Sequence, residues 1–246
     1  MPTAPPEPPT FRRLDAQDLA AWLAAHPQAL LLDAREARHH EQGHLAGSLR
    51  LDGRNHEALL LREDRQRPVF IYCYHGNASR SYAQMFVDFG FRQVFDLIGG
   101  WDAWLKRTDR HGNTPLMEAA WRGQTSAVQA LIAQGVDLAA VNADGNNALW
   151  LGCVSNDPEL VSLLARAGVP IDHQNLAGAT CLMYAASSGK APIVRRLLEL
   201  GADPQRLSQD DYSALDMAAT LECLQLLRAA TRRPTTPRTE VPHAHL

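Results

Sequence analysis

The chain has little cysteine: four in 246 residues, Cys73, Cys153, Cys181 and Cys223. No two form a C-x-x-C pair, so the usual sequence support for a zinc site is missing. Long apolar runs are missing too. None approaches the roughly 18 residues that a membrane-spanning helix needs, so no membrane partner is expected. No basic stripe stands out and the formal charge is -3, so nucleic acid is not expected as a partner. The opening MPTAPPEPPT lacks the apolar core of a signal peptide. With no export signal, a cytoplasmic, reducing setting is expected, where structural disulfides are disfavoured. Residues 1–10 and 231–246 read as disordered segments, and His243 and His245 as a solvated tail.

What is present falls into two parts, which the length allows. Residues 11–106 alternate strand-like and helix-like stretches. LDAQDLAAWLAAH offers Asp15 as a helix N-cap, with Leu19, Trp22 and Leu23 at helical spacing. ALLLDAR, SLRL, PVFIY and QVFDLI read as strands. REARHHEQG, NHEALLLRED, SYAQMFVDF and GGWDAWLKR read as helices between and after them. Short continuous apolar runs alternating with helices predict an α/β domain on a parallel sheet. Ligands in such sheets bind beyond the carboxyl ends of the strands, and Cys73 stands at that end of PVFIY.

Cys73 opens the loop YCYHGNASRS, where small residues leave it no core to pack into. Gly76 and Asn77 tolerate unusual backbone angles, so the N–H groups of Tyr74–Ala78 can wrap around the sulfur. A following helix N-terminus adds positive potential. Such a nest suits a thiolate, a bound oxyanion or a cysteine persulfide. His75 is not required as a base, because the amides already favour the thiolate. Arg80 can attract an anion at long range. His39, His40 and His44 sit close in sequence, but a structural role is expected for them.

From residue 109 a repeat takes over. Gly112, Gly145, Gly178 and Asp211 are spaced 33 apart, as are Leu116, Leu149, Leu182 and Leu215. Thr114 suits a cap, Pro115 a first helical turn, and Gly135, Gly168 and Gly201 helix ends. Cys153 and Cys181 fall at packed helix positions. The period and the T-P-L core resemble ankyrin repeats, with units at 109–141, 142–174, 175–207 and 208–230. The usual His after T-P-L is replaced by Met117, Trp150, Met183 and Asp216. The last unit is shortened after Ala219 and ends in a charged cap. The expected fold is therefore an α/β domain followed by an all-α ankyrin-repeat solenoid. Stacks of this kind bind proteins on their first helices, which makes Trp121, Arg122, Val154, Ser155, Ser187 and Ser188 candidate contacts for a protein partner.

Four blocks in 11–106 carry a second resemblance: LLDAR, EQGHLAGSLRL, FIYCYHGNASRS and LIGGWDAW. Together they resemble a single-domain rhodanese, a thiosulfate sulfurtransferase. The resemblance implies that Cys73 is the catalytic nucleophile. It takes a sulfane sulfur from thiosulfate or a related donor as a persulfide, and passes it to a thiol or cyanide. No metal or organic cofactor is implied. Tyr74, His75, Gly76, Asn77, Ala78, Ser79 and Arg80 become the substrate and anion loop, with Asp33 and Arg35 supporting the sheet edge beside it. Many rhodaneses carry Arg five residues after the nucleophile; Ala78 stands there, so weak thiosulfate affinity is expected. Phosphatase relatives carry Arg at six; Ser79 stands there, which disfavours that chemistry. The alternative is a non-catalytic scaffold or sulfur sensor built on a vestigial rhodanese domain.

The joint at Thr108–Asp109 is short, so the sheet domain is expected to pack on the first repeat. Limited proteolysis checks this: the Lys106–His111 joint is expected to resist cleavage, and ready cutting there contradicts the packing.

Overall fold

The computed structural model describes residues 10–232. The expectations for residues 1–9 and 233–246 lie outside these. The chain divides into two compact units. One runs to Ala119 and includes Ser126–Asn142; the other holds Ala120–Thr125 and the chain from Ala143.

In the first unit the elements are β1 (Arg12–Leu14), α1 (Leu19–Ala25), β2 (Leu30–Asp33), α2 (Ala37–Gln42), β3 (Leu49–Arg50), α3 (His56–Arg62), β4 (Val69–Tyr72), α4 (Ala78–Asp88), β5 (Val94–Leu97) and α5 (Gly100–Lys106). The five strands lie in the order β1-β5-β4-β2-β3, all pairs parallel. β4 is the middle strand, and every residue of β4 and β5 is buried. That is why both read as continuous apolar runs. Alternate side chains serve opposite faces. Val69 and Ile71 join Phe86 of α4 and Leu60 of α3, whereas Phe70 and Tyr72 join Trp22 of α1 and Trp101 of α5.

The structure departs from the sequence reading in three places here. β1 was not foreseen, because its RRL sequence is largely exposed and has no apolar signal; it is an edge strand paired only with β5. Asp15 is not a cap: a turn intervenes, closed by Asp18 N–H donating to Asp15 O, and α1 starts at Leu19. Asp33 ends β2, which lies between β4 and β3, so Asp33 and Arg35 stand behind the loop inside the sheet and not on an outer strand.

The repeats contribute α6 (Pro115–Trp121), α7 (Thr125–Ala133), α8 (Ala148–Val154), α9 (Pro158–Ala167), α10 (Cys181–Ser187), α11 (Ala191–Glu199) and α12 (Leu221–Thr231). Helix starts are capped by side chains. Thr114 and Thr180 accept from the N–H of Met117 and Met183, and Asn147, standing where the first unit has threonine, accepts from Trp150 N–H at 3.0 Å. Gly168 and Gly201 end α9 and α11 with φ of +106° and +90°. The shortened last unit has a turn held by Ser213 and Asp216 in place of a first helix, and then only α12. α12 extends to Thr231, one residue beyond the expected end of the repeats.

The 33-residue register has a backbone cause. Gly112, Gly145, Gly178 and Asp211 all have φ between +61° and +77°. Successive hairpin tips interlock: Gln209 N–H donates to Ala177 O at 3.1 Å, and a Cβ on Gly178 would lie 2.7 Å from Gln209 N. Gly201 has a positive φ but open space around it. Gly178→Ala is therefore expected to cost about 2–5 kcal/mol, against about 1–2 for Gly201→Ala, from left-handed strain with and without a clash. Urea unfolding of the two variants checks this; equal losses contradict it.

Candidate active site

The loop after β4 is fixed by backbone contact with the start of α5. Cys73 O accepts from Trp101 N–H at 2.8 Å, and Tyr74 O accepts from Asp102 N–H at 3.1 Å. The approach is too close for side chains. A Cβ on Gly100 would sit 2.4 Å from Cys73 O and 2.7 Å from Gly76 N; one on Gly76 would sit 2.8 Å from Leu97 O. Both glycines also have positive φ, +62° and +75°. So the GG of LIGGWDAW and the G of CYHGN are two sides of one contact.

This contact turns the loop amides onto the sulfur. Against the sequence reading, Cys73 is buried at the strand end, only 3% exposed. Burial alone would push its thiol up. The Ser79 hydroxyl and the backbone N–H groups of Ser79, His75 and Gly76 outweigh that, and the thiol lies below its ordinary value. Asn77 takes an ordinary right-handed backbone, so Gly76 alone supplies the unusual angle in the wrap. α4 begins at Ala78, earlier than expected, so Ala78, Ser79 and Arg80 form its first turn rather than loop.

The remaining loop residues are tethered outward. The Tyr74 hydroxyl bonds His39 Nδ1 at 2.5 Å and accepts from Glu36 N–H at 3.2 Å. His75 Nδ1 pairs with Asp102 at 2.9 Å, with both side chains well exposed. Arg80 is exposed beside Asn77, in a depression that Phe11, Ser81 and Gln84 also line.

Asp33 and Arg35 are buried behind the loop. Arg35 Nη2 donates to Asp33 Oδ2 at 2.7 Å and to Gly43 O at 2.6 Å, and the guanidinium lies 4.2 Å from the Trp101 ring centre. The Tyr72 hydroxyl accepts from Leu45 N–H and bonds Ser48 Oγ, and burial pushes its pKa well up. Thus LLDAR, EQGHLAGSLRL, FIYCYHGNASRS and LIGGWDAW are physically stitched to one another.

Sequence reading missed Asp96. This β5 residue is wholly buried, accepts from Ser79 Oγ at 2.5 Å, and pairs through its other oxygen with Arg13 Nε at 3.1 Å. A carboxylate within the apolar run QVFDLI was the available signal.

The histidines have other partners. His40 and His44 stack with ring centres 3.9 Å apart, and His44 Nδ1 bonds His40 O. Among the described residues no group of three or more side chains could hold a metal ion. Nor is any described helix long and apolar enough to cross a membrane. Cys153, Cys181 and Cys223 are free and buried, and Cys181 Sγ donates to Ile171 O at 3.2 Å. Of the candidate protein contacts, Trp121, Arg122, Ser187 and Ser188 are exposed. Val154 and Ser155 are only half-buried, and Ser155 Oγ turns back to Gly152 O at 2.8 Å, so these two offer less surface than expected.

The matching family models agree with this architecture. The family model for a rhodanese-like domain matches residues 15–107, and that for ankyrin repeats matches 84–175 and 149–235. The ankyrin match begins early, since residues 84–107 form the end of α4, β5 and α5. The thiosulfate sulfurtransferase GlpE of Coxiella burnetii strain RSA 331 / Henzerling II is 37% identical over 87 residues, covering 35% of this chain and 81% of the relative. GlpE of strain CbuG_Q212 matches to the same extent. Among solved structures, the ankyrin repeat domain of Bcl-3 matches at 28% identity and a TM-score of 0.48, covering 50% of this chain and 55% of that one. The chain belongs to the rhodanese sulfurtransferase family and carries ankyrin repeats.

Gly100→Ala is expected to push the loop off the sulfur and to lower Cys73 alkylation at neutral pH at least about tenfold, the worth of one lost hydrogen bond to a charged group. Gly90→Ala, also at positive φ but with open space around it, is the control and keeps the wild-type rate. Equal rates in the two variants contradict the contact.

Proposed function

We propose that this protein is a sulfurtransferase that carries sulfane sulfur on Cys73 as a persulfide. The observation that carries the reading is the place of Cys73 at the carboxyl end of the middle strand, with Ser79 Oγ 3.4 Å from its sulfur and the neighbouring amides drawing its thiol below the ordinary value. Each hydrogen bond to a charged group contributes about 1.5–3 kcal/mol, enough in sum to offset the cost of burying a thiolate. The Cys73 thiolate attacks the outer sulfur of thiosulfate or a related donor. The new S–S bond forms, the S–S bond of the donor breaks, and sulfite leaves with its electron pair. The terminal persulfide sulfur takes over the amide contacts. A thiol or cyanide then removes it and regenerates Cys73.

Substrate preference follows from charge. Thiosulfate brings two negative charges, and Ala78 sits where an arginine would meet them. Arg80 lies two residues on in the same helical turn, exposed, and serves as a distant attraction. A less charged sulfane donor therefore suits the loop better than free thiosulfate. The ankyrin repeats recruit a protein donor or acceptor, with Trp121, Arg122, Ser187 and Ser188 as the contact candidates.

Incubation with thiosulfate or an organic persulfide, followed by intact-mass analysis, tests the proposal. Cys73 is expected to gain the mass of one sulfur atom, lost again on adding cyanide, with thiocyanate as product. Cys73→Ser is expected to gain nothing. Absence of the adduct with every sulfane donor overturns the enzyme reading and leaves a binding scaffold.

A further inference from the structure

Ser79 carries one hydroxyl hydrogen and stands between two groups that could receive it. Cys73 Sγ lies 3.4 Å from its oxygen and Asp96 Oδ1 lies 2.5 Å away. The hydroxyl cannot donate to both. If Asp96 is ionised, Ser79 donates to it, and the Ser79 lone pair then faces a Cys73 S–H. If Asp96 is protonated, it donates to Ser79, which then donates to a Cys73 thiolate. The two arrangements differ only in where one proton resides.

Asp96 is suited to exchange that proton. It is wholly buried, and its ion-pair partner Arg13 is itself 39% exposed. Burial pushes its carboxyl up and outweighs the opposing effects of Ser79, Arg13 and Arg80. The other ionisable groups at this end of the sheet are engaged elsewhere. His75 is paired with Asp102 of α5, Asp33 of β2 with Arg35, and Tyr74 with His39; Tyr72 is buried and bonded to Ser48.

We propose that Ser79 and Asp96 form a buried relay that takes the thiol proton from Cys73 and holds it on the Asp96 carboxyl while Cys73 carries the charged sulfur. It rests on Cys73 being the nucleophile of the proposed function. Before Cys73 sulfur attacks the donor, its proton passes to Ser79 oxygen and the Ser79 proton passes to Asp96, which leaves the attacking thiolate. Thiol, carboxylate and thiosulfate become persulfide anion, carboxylic acid and sulfite. One proton is conserved, the total charge is unchanged, and the buried site never holds two adjacent anions. Asp96 is a positioning and proton-holding residue, since it acts on sulfur only through Ser79.

The test is the Cys73 alkylation rate against pH, read by mass spectrometry on the full chain. Two sites sharing a proton titrate in two macroscopic steps. The wild type is therefore expected to show two steps, and His75→Gln to keep both. Asp96→Asn is expected to show one step, displaced by at least about one pH unit below the upper wild-type step. Its carboxamide donates to Ser79 and no longer sets a negative charge against the thiolate. Ser79→Ala is also expected to show one step, at higher pH than in Asp96→Asn. If Asp96→Asn does not fold, judged by circular dichroism, Ser79→Ala still reads the loss of a step. An Asp96→Asn or Ser79→Ala profile that superimposes on the wild type overturns the relay, as does loss of a step in His75→Gln. The persulfide assay scores the two ideas apart. Persulfide formation with a single-step wild-type profile keeps sulfur transfer and removes the relay. A two-step profile without persulfide keeps the relay and removes sulfur transfer.

Discussion

The first unit depends on one backbone contact, the seating of the Cys73–Gly76 loop on Gly99–Gly100. Two chain segments approach there within a distance that leaves no room for a Cβ. The contact costs the conformational freedom of glycine in the unfolded chain. In return it aims carbonyls at the N–H groups of Trp101 and Asp102 and leaves the loop amides free for the sulfur. The surrounding buried groups hold the two partners in place. Arg35 spans Asp33, Gly43 and the face of Trp101, and Tyr72 bonds the α2–β3 connection. Few of the residues that build the site touch the sulfur. Most determine where β4 and α5 end relative to one another.

The same physical device recurs in the repeats for a different purpose. Gly145 and Gly178 have positive φ and would clash with the next hairpin tip if they carried a side chain. There the close approach locks successive units into register. In the loop it fixes the backbone beside Cys73. Within the first unit, Trp101 Nε1 also donates to Gln134 Oε1 at 2.9 Å, just beyond the end of α7, so the tryptophan that backs the Cys73 loop reaches the first repeat. The short Thr108–Asp109 joint is in keeping with that bond.

Much of this was legible in the sequence, because it is written in patterns that backbone geometry imposes. Buried central strands need apolar runs, so β4 and β5 were readable. A left-handed hairpin position needs glycine or a tolerant substitute, so a 33-residue register survives even at Asp211. The loop was readable because small residues between a strand and a helix have few other uses. What escaped was what pattern does not encode. β1 is an exposed edge with no periodic signal. The start of α4 was misplaced because Ala78, Ser79 and Arg80 are equally at home in a loop or a first helical turn. Asp96 is one polar residue inside a strand, and its significance lies in a contact with Ser79 from a different element. Val154 and Ser155 hold first-helix positions in the repeat, but their exposure depends on packing that position alone does not give.

The central claim is that the seated loop, and not cysteine chemistry in general, favours the Cys73 thiolate. The chain contains its own controls, since Cys153, Cys181 and Cys223 are buried without such a loop, and the neighbouring Cys181, together with burial, raises the Cys153 pKa well above its ordinary value. The most direct measurement is competitive alkylation of the native chain with limiting iodoacetamide at neutral pH, with all four cysteines quantified by peptide mass spectrometry. The account predicts modification at Cys73 and negligible modification at the other three until the protein is unfolded. Equal labelling of the four, or a Cys73 that reacts only after unfolding, would contradict it.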